Sequence, residues 1–269
     1  VKDAVPAANY NEDIDDQGDD NYVYDEIGNL VQDNAEGINN ISWNVYGKIK
    51  TITKASGTIS YSYDANGNRI SKTASGKTSI YVRDASGNVM SIYVTDAAVN
   101  SGDLTQNEVH LYGSSRLGVY NIGRNVQTLT HSNYSGNIST FIRGNKFFEL
   151  SNHLGNVLVT VSDKKIGVDN TSDGIIDYYN ADVVTANDYF PFGMTMPGRK
   201  FSAGTEYRYG FNGKENDNDI SEGGQDYGMR VYDGRLGKFL SVDPLTKKYP
   251  WYTPYQFSGN KPIWASDLD

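Results

Sequence analysis

The sequence predicts an all-β protein in which stacked antiparallel β-hairpins build one long sheet. The first observation behind this prediction is a recurring phrase: an acidic or amide residue, two variable positions, glycine, and then Asn or Lys. The phrase begins at residues 25, 44, 64 and 84, which gives a repeat of 19 or 20 residues. The second observation is that tyrosine and β-branched residues flank each phrase, and tyrosine occurs 21 times in 269 residues.

Each phrase has the chemistry of a hairpin turn. The Asp or Asn side chain that opens it can bond to the backbone two residues on, and glycine supplies the positive φ that a tight turn requires. Tyr22-Val-Tyr24 precedes the first phrase and Leu30-Val31 follows it, as expected for the two strands of one hairpin. A single hairpin is marginal in water, so the units must stack side by side and bury one face together.

Echoes of the phrase continue beyond residue 88 with looser spacing. They occur at Ser115-Arg-Leu-Gly118, at Asn152-His-Leu-Gly155 and at Arg235-Leu-Gly237-Lys238. We therefore expect the repeat sheet to cover residues 21–204, with an insertion near residues 162–188, and a separate C-terminal domain to cover residues 205–269. Residues 1–20 end in an acidic run and are expected to be a solvated linker or the end of a preceding repeat.

The composition argues against several function classes. A net charge of −9 and a pI near 4.8 argue against a nucleic-acid partner, which would need a basic stripe. No run of 18 apolar residues occurs, so no membrane-spanning helix is predicted. The chain starts at Val1 without a visible secretory signal, so we expect it to be a piece of a longer chain. The absence of cysteine excludes disulfides and thiolate metal sites.

One loop has the skeleton of a calcium-binding loop of the EF-hand kind. Asp169, Thr171, Asp173 and Asp177 place oxygen-bearing side chains at relative positions 1, 3, 5 and 9, and a glycine occupies position 6. Position 3 is usually Asp or Asn, and position 12 is Asn180 instead of the bidentate Glu that completes the shell. Calcium is therefore a candidate ligand beside the alternative of a metal-free Asp-Gly loop between strands, and no other cofactor is predicted.

The C-terminal stretch is the most distinctive part of the chain. It contains Arg235-Leu-Gly-Lys-Phe-Leu-Ser-Val-Asp243-Pro244 and ends in Gly259-Asn-Lys-Pro-Ile-Trp-Ala-Ser-Asp267-Leu-Asp. Together with the Tyr-Asp pairs at residues 24–25 and 63–64, each followed by Gly-Asn, these motifs resemble the RHS/YD-repeat family and its RHS repeat-associated core domain. The resemblance is strongest over residues 205–269, clear over residues 22–94 and weaker between them.

The resemblance implies an architecture and a set of partners. In this family the hairpins form a spiralling sheet that winds into a hollow shell, and the core domain plugs one end. The shell holds a variable C-terminal polypeptide, often a toxin, that follows the core in the same chain. The implied partners are the upstream part of the shell, the downstream toxin or effector and, as in polymorphic toxins, a secretion apparatus. The implied location is outside a bacterial cell or at its surface.

The resemblance also implies autoproteolysis. Many family members look like aspartyl proteases that act once on their own chain, just after the second motif, and the motifs place the two aspartates at Asp243 and Asp267. Two neighbouring carboxylates cannot both ionise cheaply, so one could polarise a carbonyl while the other takes a proton from water. Arg235, or else Arg230, would bias the ionised member. The sequence departs from the usual motifs at Thr246, where glycine is usual, and directly after Asp267, where proline is usual.

The sequence alone leaves other roles open for the two aspartates and for the sheet. The two aspartates can serve turns and packing alone, and a tyrosine-rich sheet face can bind polysaccharide or a cell-surface partner as an adhesion module. The histidines, which include His131, are scattered and indicate neither a metal site nor a nucleophile triad. We expect the late aromatic residues to pack as a plug and not to form a ligand cage, namely Tyr249, Trp251, Tyr252, Tyr255, Phe257 and Trp264.

Overall fold

One antiparallel sheet dominates the molecule. The computed structural model describes residues 2, 6, 14, 16–127, 142–204 and 207–267, and fourteen strands of this part form a single sheet. Each strand pairs with its neighbour in sequence, from β1 at one edge to β14 at the other. The predicted all-β fold of stacked hairpins is therefore confirmed. Most of the predicted linker, along with His131, Leu268 and Asp269, lies outside the described residues.

The C-terminal segment, of which residues 207–267 are described, adds a second, four-stranded antiparallel sheet. The described strands are therefore numbered β1 to β18. The strands of the large sheet are β1 Tyr22–Tyr24, β2 Leu30–Asp33, β3 Ile38–Trp43, β4 Ile49–Lys54, β5 Gly57–Tyr63, β6 Arg69–Ala74, β7 Lys77–Arg83, β8 Val89–Thr95, β9 Thr105–Tyr112, β10 Arg116–Asn125, β11 Lys146–Ser151, β12 Val157–Val168, β13 Tyr178–Tyr189 and β14 Thr195–Ser202. The small sheet contains β15 Glu215–Asn216, β16 Gly224–Asp226, β17 Val231–Asp233 and β18 Lys238–Phe239.

The recurring phrase forms the turns that follow β1, β3, β5 and β7. In the turn after β5, Asp64 Oδ1 accepts hydrogen bonds from the N–H groups of Asn66 and Asn68 at 2.9 and 2.8 Å. Gly67 has φ +82° and its N–H donates to Asp64 O. The phrases that begin at residues 25, 44 and 84 repeat these bonds. The predicted turn chemistry is confirmed, and a further bond four residues on closes each turn.

The later echoes differ from one another. The echo at Asn152 is a turn, because its side chain accepts bonds from the N–H groups of Leu154 and Asn156 at 3.0 and 3.1 Å. The echo at Gly118 is not a turn, since this residue lies inside β10. A Cβ atom there would lie 1.9 Å from Phe147 O on β11, so glycine allows the two strands to approach. The third echo, at residues 235–238, connects β17 to β18.

Residues 162–188, expected to be an insertion, form the outer part of the β12–β13 hairpin. Both strands contain 12 residues and pair along most of their length. Neighbouring β11 reaches only to Ser162 of β12, and β14 reaches only to Thr185 of β13. The rest of the hairpin is a two-stranded arm that extends beyond the sheet. The segment is thus an elongation of a hairpin that the sheet already contains.

The large sheet curls around the C-terminal segment. Tyr232 Oη donates to Phe192 O at 2.8 Å in the turn after β13. Three residues later, Arg235 Nη1 donates to Glu36 Oε1 at 2.6 Å in the turn after β2. One short stretch therefore touches two turns that lie eleven strands apart in the sheet order. A flat sheet could not make both contacts.

Two apolar cores hold these parts together. The first contains buried residues of β2 to β6 and is completed by Ile220 and Leu240 of the C-terminal segment. The second is aromatic and belongs mainly to the C-terminal segment, with Tyr189 and Phe192 of the large sheet packed against it. Its buried members are Phe211, Tyr227, Tyr232, Phe239 and Phe257.

An aromatic plug exists, but only part of it matches the prediction: Phe257 is buried in it, Tyr252 and Tyr255 are half-buried, and the other three predicted residues are exposed. Trp251 and Trp264 are 70% and 81% exposed, and Tyr249 is 45% exposed. The buried rings come mostly from residues 211–239, where the small sheet and the preceding turn direct them inward. Residues 240–267 contain no strand, and several of their large side chains stay at the surface, whereas Leu240 and Phe257 are buried. Within the described residues no helix is long and apolar enough to cross a membrane.

The turn after β5 allows a test of the stacked phrases. A Cβ at Gly67 would lie 2.8 Å from Lys48 Cε, whereas a Cβ at Gly47 meets nothing within 4 Å. Both glycines have positive φ, so replacing either with alanine should destabilise the protein by about 1–2 kcal/mol. Gly67→Ala should cost more than Gly47→Ala, because it displaces Lys48 from its bonds to Gly67 O and Gly228 O. Urea unfolding of the two variants would contradict this account if they lost equal stability.

Candidate functional site

A buried network of charges joins the large sheet to the C-terminal segment. At its centre lies Arg69, the first residue of β6, whose side chain is only 4% exposed. Its Nη2 lies 2.6 Å from Glu215 Oε2, and its Nη1 lies 3.2 Å from Asp217 Oδ2 and 3.3 Å from Asp226 Oδ2. All three carboxylates belong to the C-terminal segment. A single sheet residue is therefore neutralised entirely by the segment that covers it.

Neighbouring side chains extend the network along the inner face of the large sheet, which is the face that the C-terminal segment covers. Lys72 Nζ lies 2.5 Å from one carboxylate oxygen of Asp217 and 2.5 Å from one of Asp219. Tyr61 Oη donates to Asp217 Oδ2 at 3.1 Å, and Tyr81 Oη donates to a Glu215 carboxylate oxygen at 3.0 Å. Burial raises the pKa of both tyrosines, so that they remain phenols and hydrogen-bond donors.

The network continues across β9 to β11. Arg208 Nη2 lies 2.8 Å from Glu108 Oε2, and its Nη1 lies 3.1 Å from Glu215 Oε1. On the next strands, Arg116 Nε lies 2.8 Å from Glu149 Oε1, and the guanidinium of Arg116 stacks 3.7 Å above the Tyr209 ring. Sheet and segment thus supply charges of both signs, and each partly buried charge in this set faces an opposite one.

The electrostatics show how strongly the network is coupled. Burial alone would raise the pKa of Glu215, but the guanidinium groups of Arg69 and Arg208 outweigh it and hold that pKa at about 2. The same balance between burial and Arg208 lowers the pKa of Glu108. Both carboxylates are therefore ionised at neutral pH. Sequence reasoning missed the network, although Arg69 occupies an inward position of β6 while the adjacent Ile70 is 39% exposed.

The two predicted catalytic aspartates lie together. Arg230 Nη2 lies 3.5 Å from Asp243 Oδ2 and 3.3 Å from Asp267 Oδ1. Since both oxygens lie within 3.5 Å of one nitrogen, they are separated by no more than twice that distance. The three side chains are 7%, 17% and 11% exposed, so the group lies largely out of water. Asp267 Oδ2 also accepts a bond from the N–H of Ser258 at 2.8 Å.

The arginine at this pair is Arg230, not Arg235. Arg235 instead lies 2.8 Å from Asp233 and 2.6 Å from Glu36, and it ties the small sheet to the turn after β2. Arg230 stacks 3.6 Å above the Phe239 ring, and burial lowers its pKa. Arg230 is thus an ion-pair partner shared by both carboxylates, and it holds the two side chains close together.

The residues of the predicted calcium loop lie at the tip of the β12–β13 arm and are mostly exposed. Asp169 accepts bonds from the N–H groups of Ser172 and Gly174, Asp173 from Ile175, and Asp177 from Asn170. Thr171 Oγ1 itself donates to Asp169. These oxygens order the turn, and the bond from Gly174 is the main reason that the pKa of Asp169 is lowered. Across the described residues, no three His, Asp or Glu side chains are grouped so as to hold a metal ion.

Comparison with known proteins defines the class of fold. Residues 43–79 match the RHS Repeat family. The chain is 26% identical over 259 residues to Salivary gland surface protein 1 of Aedes aegypti, a match that covers 92% of this chain and 6% of that protein.

Crystal structures of TcdB2-TccC3 and of TcdB2-TccC3-Cdc42 share the fold, with TM-scores of 0.53 and 0.55. They are 16% identical in sequence, and the match covers 87% of this chain and 10% of each of theirs. The chain thus spans a tenth or less of the proteins it matches. The resemblance to RHS repeats is confirmed for residues 43–79, while the core domain stays a prediction.

Removing the central arginine should uncouple sheet and segment. Arg69→Met leaves Glu215 and Asp217 buried beside a neutral side chain, so we expect a loss of about 3–5 kcal/mol of stability. Arg199→Met is the control, because Arg199 pairs with Asp188 at the surface, where such pairs contribute about 1 kcal/mol or less. Equal losses in urea unfolding would show that the buried network is not the stronger contact.

The depressed pKa of Glu215 predicts acid sensitivity. The folded carboxyl takes up a proton only near pH 2, whereas its ordinary pKa is 4.5. The stability it contributes is therefore complete above about pH 5 and is lost as the pH falls from about 4.5 towards 2. Glu215→Gln should lower stability at neutral pH and flatten its decline over this range. Urea unfolding at about pH 6, 4 and 3 measures both slopes, and identical slopes would refute the assignment.

Proposed function

We propose that this chain is the closing part of an RHS-type β-shell that encloses and delivers a polypeptide following it in the same molecule. The observation that carries the proposal is the buried charge network, in which Arg69 on the inner face of the curled sheet is covered by the C-terminal segment. The sheet therefore has an inside, and the segment acts as its plug. The RHS repeat at residues 43–79 and the fold shared with TcdB2-TccC3 support this role.

The partners follow from the same comparison. One related crystal structure is described as TcdB2-TccC3 without its hypervariable C-terminal region, which supports a variable downstream segment as the cargo, such as a toxin or effector. Upstream repeats would complete the shell, and a secretion apparatus would export it. The Aedes aegypti relative is named as a surface protein, which supports an extracellular or cell-surface location. The bacterial origin that the family resemblance implied has no support of its own.

The orientation of the tyrosines favours a shell over an adhesion module. An adhesin of this kind would expose rows of aromatic side chains on the sheet for its ligand. Tyr61 and Tyr81 are instead 8% and 4% exposed, and they bond to the C-terminal segment. These two aromatic side chains of the repeats are therefore engaged within the molecule. This supports enclosure as the main role of the sheet.

We also propose self-cleavage after the second motif, carried by Asp243 and Asp267. Water would add to the carbonyl carbon of a peptide bond beyond Asp267, one carboxylate would take its proton, and the other would give a proton to the leaving amine. The observation in favour is that the two carboxylates share Arg230. The chain would act on itself once, leaving the cargo enclosed and unattached.

One experiment on the full natural polypeptide tests self-cleavage. We expect its intact mass to show two products from a cut beyond Asp267, and we expect Asp243→Asn and Asp267→Asn each to leave the chain uncut. Asp233→Asn is the control, since Asp233 lies in the same segment but pairs with Arg235. A parent that stays uncut, or a cut that survives in both aspartate variants, would refute self-cleavage.

Protease challenge of the same samples tests enclosure separately. In the folded shell, an added protease should leave the downstream segment intact, whether or not it has been cut from the plug. After Arg69→Met has loosened the plug, the downstream segment should become sensitive. Equal digestion of the downstream segment in the native protein and in the urea-unfolded protein would refute the shell.

A further inference from the structure

Equivalent positions of the four phrases carry different side chains. The third positions are Ile27, Tyr46, Asn66 and Ser86, and all four turns have the same backbone bonds. We call the second and third positions of a phrase the tip of its turn. The turn needs only the opening Asp or Asn and the glycine, so the fold does not require apolar side chains at the tips. Yet Ile27 and Tyr46 are 73% and 79% exposed, and the neighbouring Val45 is 93% exposed. Large apolar side chains at two tips of four indicate a surface that is covered by a partner.

The C-terminal segment adds apolar surface at the same end of the molecule. Tyr255 Oη donates to Gly28 O at 2.6 Å in the first phrase. Lys48 of the second phrase donates to Gly228 O at 2.6 Å, and the next residue, Met229, is 41% exposed. Trp251, four residues before Tyr255, is 70% exposed. Sheet and segment therefore both present apolar groups at this end.

β1 is the first strand of the described sheet beside this surface, and its composition suits pairing with a further strand. Val23 and Tyr24 of β1 are 41% and 49% exposed, and β1 contains neither proline nor lysine. The opposite edge strand, β14, contains Pro197, Arg199 and Lys200, which are residues that discourage pairing at a sheet edge. Among the described residues no strand pairs with β1 on its outer side, whereas β14 carries residues that discourage pairing at its edge.

The contacts of the curled sheet indicate on which rim a preceding winding would lie. The phrase turns and the turn at residues 190–194 all follow odd-numbered strands and lie on one rim, while the turn at residues 34–37 follows β2 and lies on the other rim. Residues 232–235 touch the turns at 190–194 and at 34–37 together. We call the rim that carries the phrase turns the phrase rim. Near β13 the phrase rim therefore lies beside the other rim near β2.

We propose that Ile27, Val45 and Tyr46, with Met229 and Trp251, form the contact surface for a preceding winding of β-hairpins in the same polypeptide. Continuing the spiral backwards from β1 brings the opposite rim of that winding beside the phrase rim of β1 to β4. The hairpin turns of the preceding winding would cover these apolar tips, and its last strand would pair with β1. The inference rests on the proposed shell and adds the residues through which successive windings stack.

Photo-cross-linking in the full natural polypeptide tests the occupant. Replacing Tyr46 with p-benzoylphenylalanine keeps an aromatic side chain at the tip. We expect its cross-linked peptides to come from residues upstream of Val1 in the same molecule. The same probe at Asp173, at the tip of the β12–β13 arm on the other rim, should give no upstream cross-link. Mixing light and heavy isotopic protein separates contacts within one molecule from contacts between two copies.

Cysteine labelling gives a second measurement, because the 269 residues contain no cysteine. In the native polypeptide we expect Tyr46→Cys to react with a maleimide at least about tenfold more slowly than Asp173→Cys, and the difference should vanish in urea. Equal native rates, cross-links between two copies, cross-links to the downstream segment, or no cross-link at position 46 would each overturn the proposal. Digestion of the cargo reports separately on the shell, so the two failures are distinguishable.

Discussion

The burial of Arg69 is the constraint on which the rest of the structure depends. A guanidinium that is 4% exposed is stable only if carboxylates compensate its charge and accept its hydrogen bonds. Here Glu215, Asp217 and Asp226 do so, and all three belong to the C-terminal segment. Neither partner can be buried without the other. The inner face of the sheet is therefore specified for this one segment, in this one position.

Apolar burial alone would not give that specificity. The core of β2 to β6 attracts any apolar surface, because the hydrophobic effect is not directional. The ion pairs and tyrosine bonds require particular distances, so they select the register in which Ile220 and Leu240 complete the core. The segment then holds the curl of the sheet, since its residues 232–235 touch the turns after β13 and β2 together. Local turns build the ladder of strands, and long-range charge pairs hold that ladder curled around the C-terminal segment.

The sequence predicted the features whose causes lie within a few residues. The Asp-x-x-Gly phrase makes its own turn, so hairpins, strand order and fold class could all be derived from it. The contact of Arg69 with Glu215 joins residues 146 positions apart. Its local sign is that the charged Arg69 is buried while the neighbouring apolar Ile70 is exposed. Gly118 fits the phrase but serves a close approach of two strands. Trp251 and Trp264 are apolar enough for a core, yet no strand directs them inward, so their exposure could not be derived from composition.

The aspartate pair shows the same division between motif and geometry. The motifs located Asp243 and Asp267, but the sequence left two candidates for their arginine partner, Arg230 and Arg235. The structure places Arg230 at the pair, because Arg235 is held by Asp233 and Glu36. Arg230 lies two residues after Gly228, whose carbonyl is bonded to Lys48 of the second phrase. Docking of the segment against the sheet therefore holds the backbone that carries Arg230 to the aspartate pair.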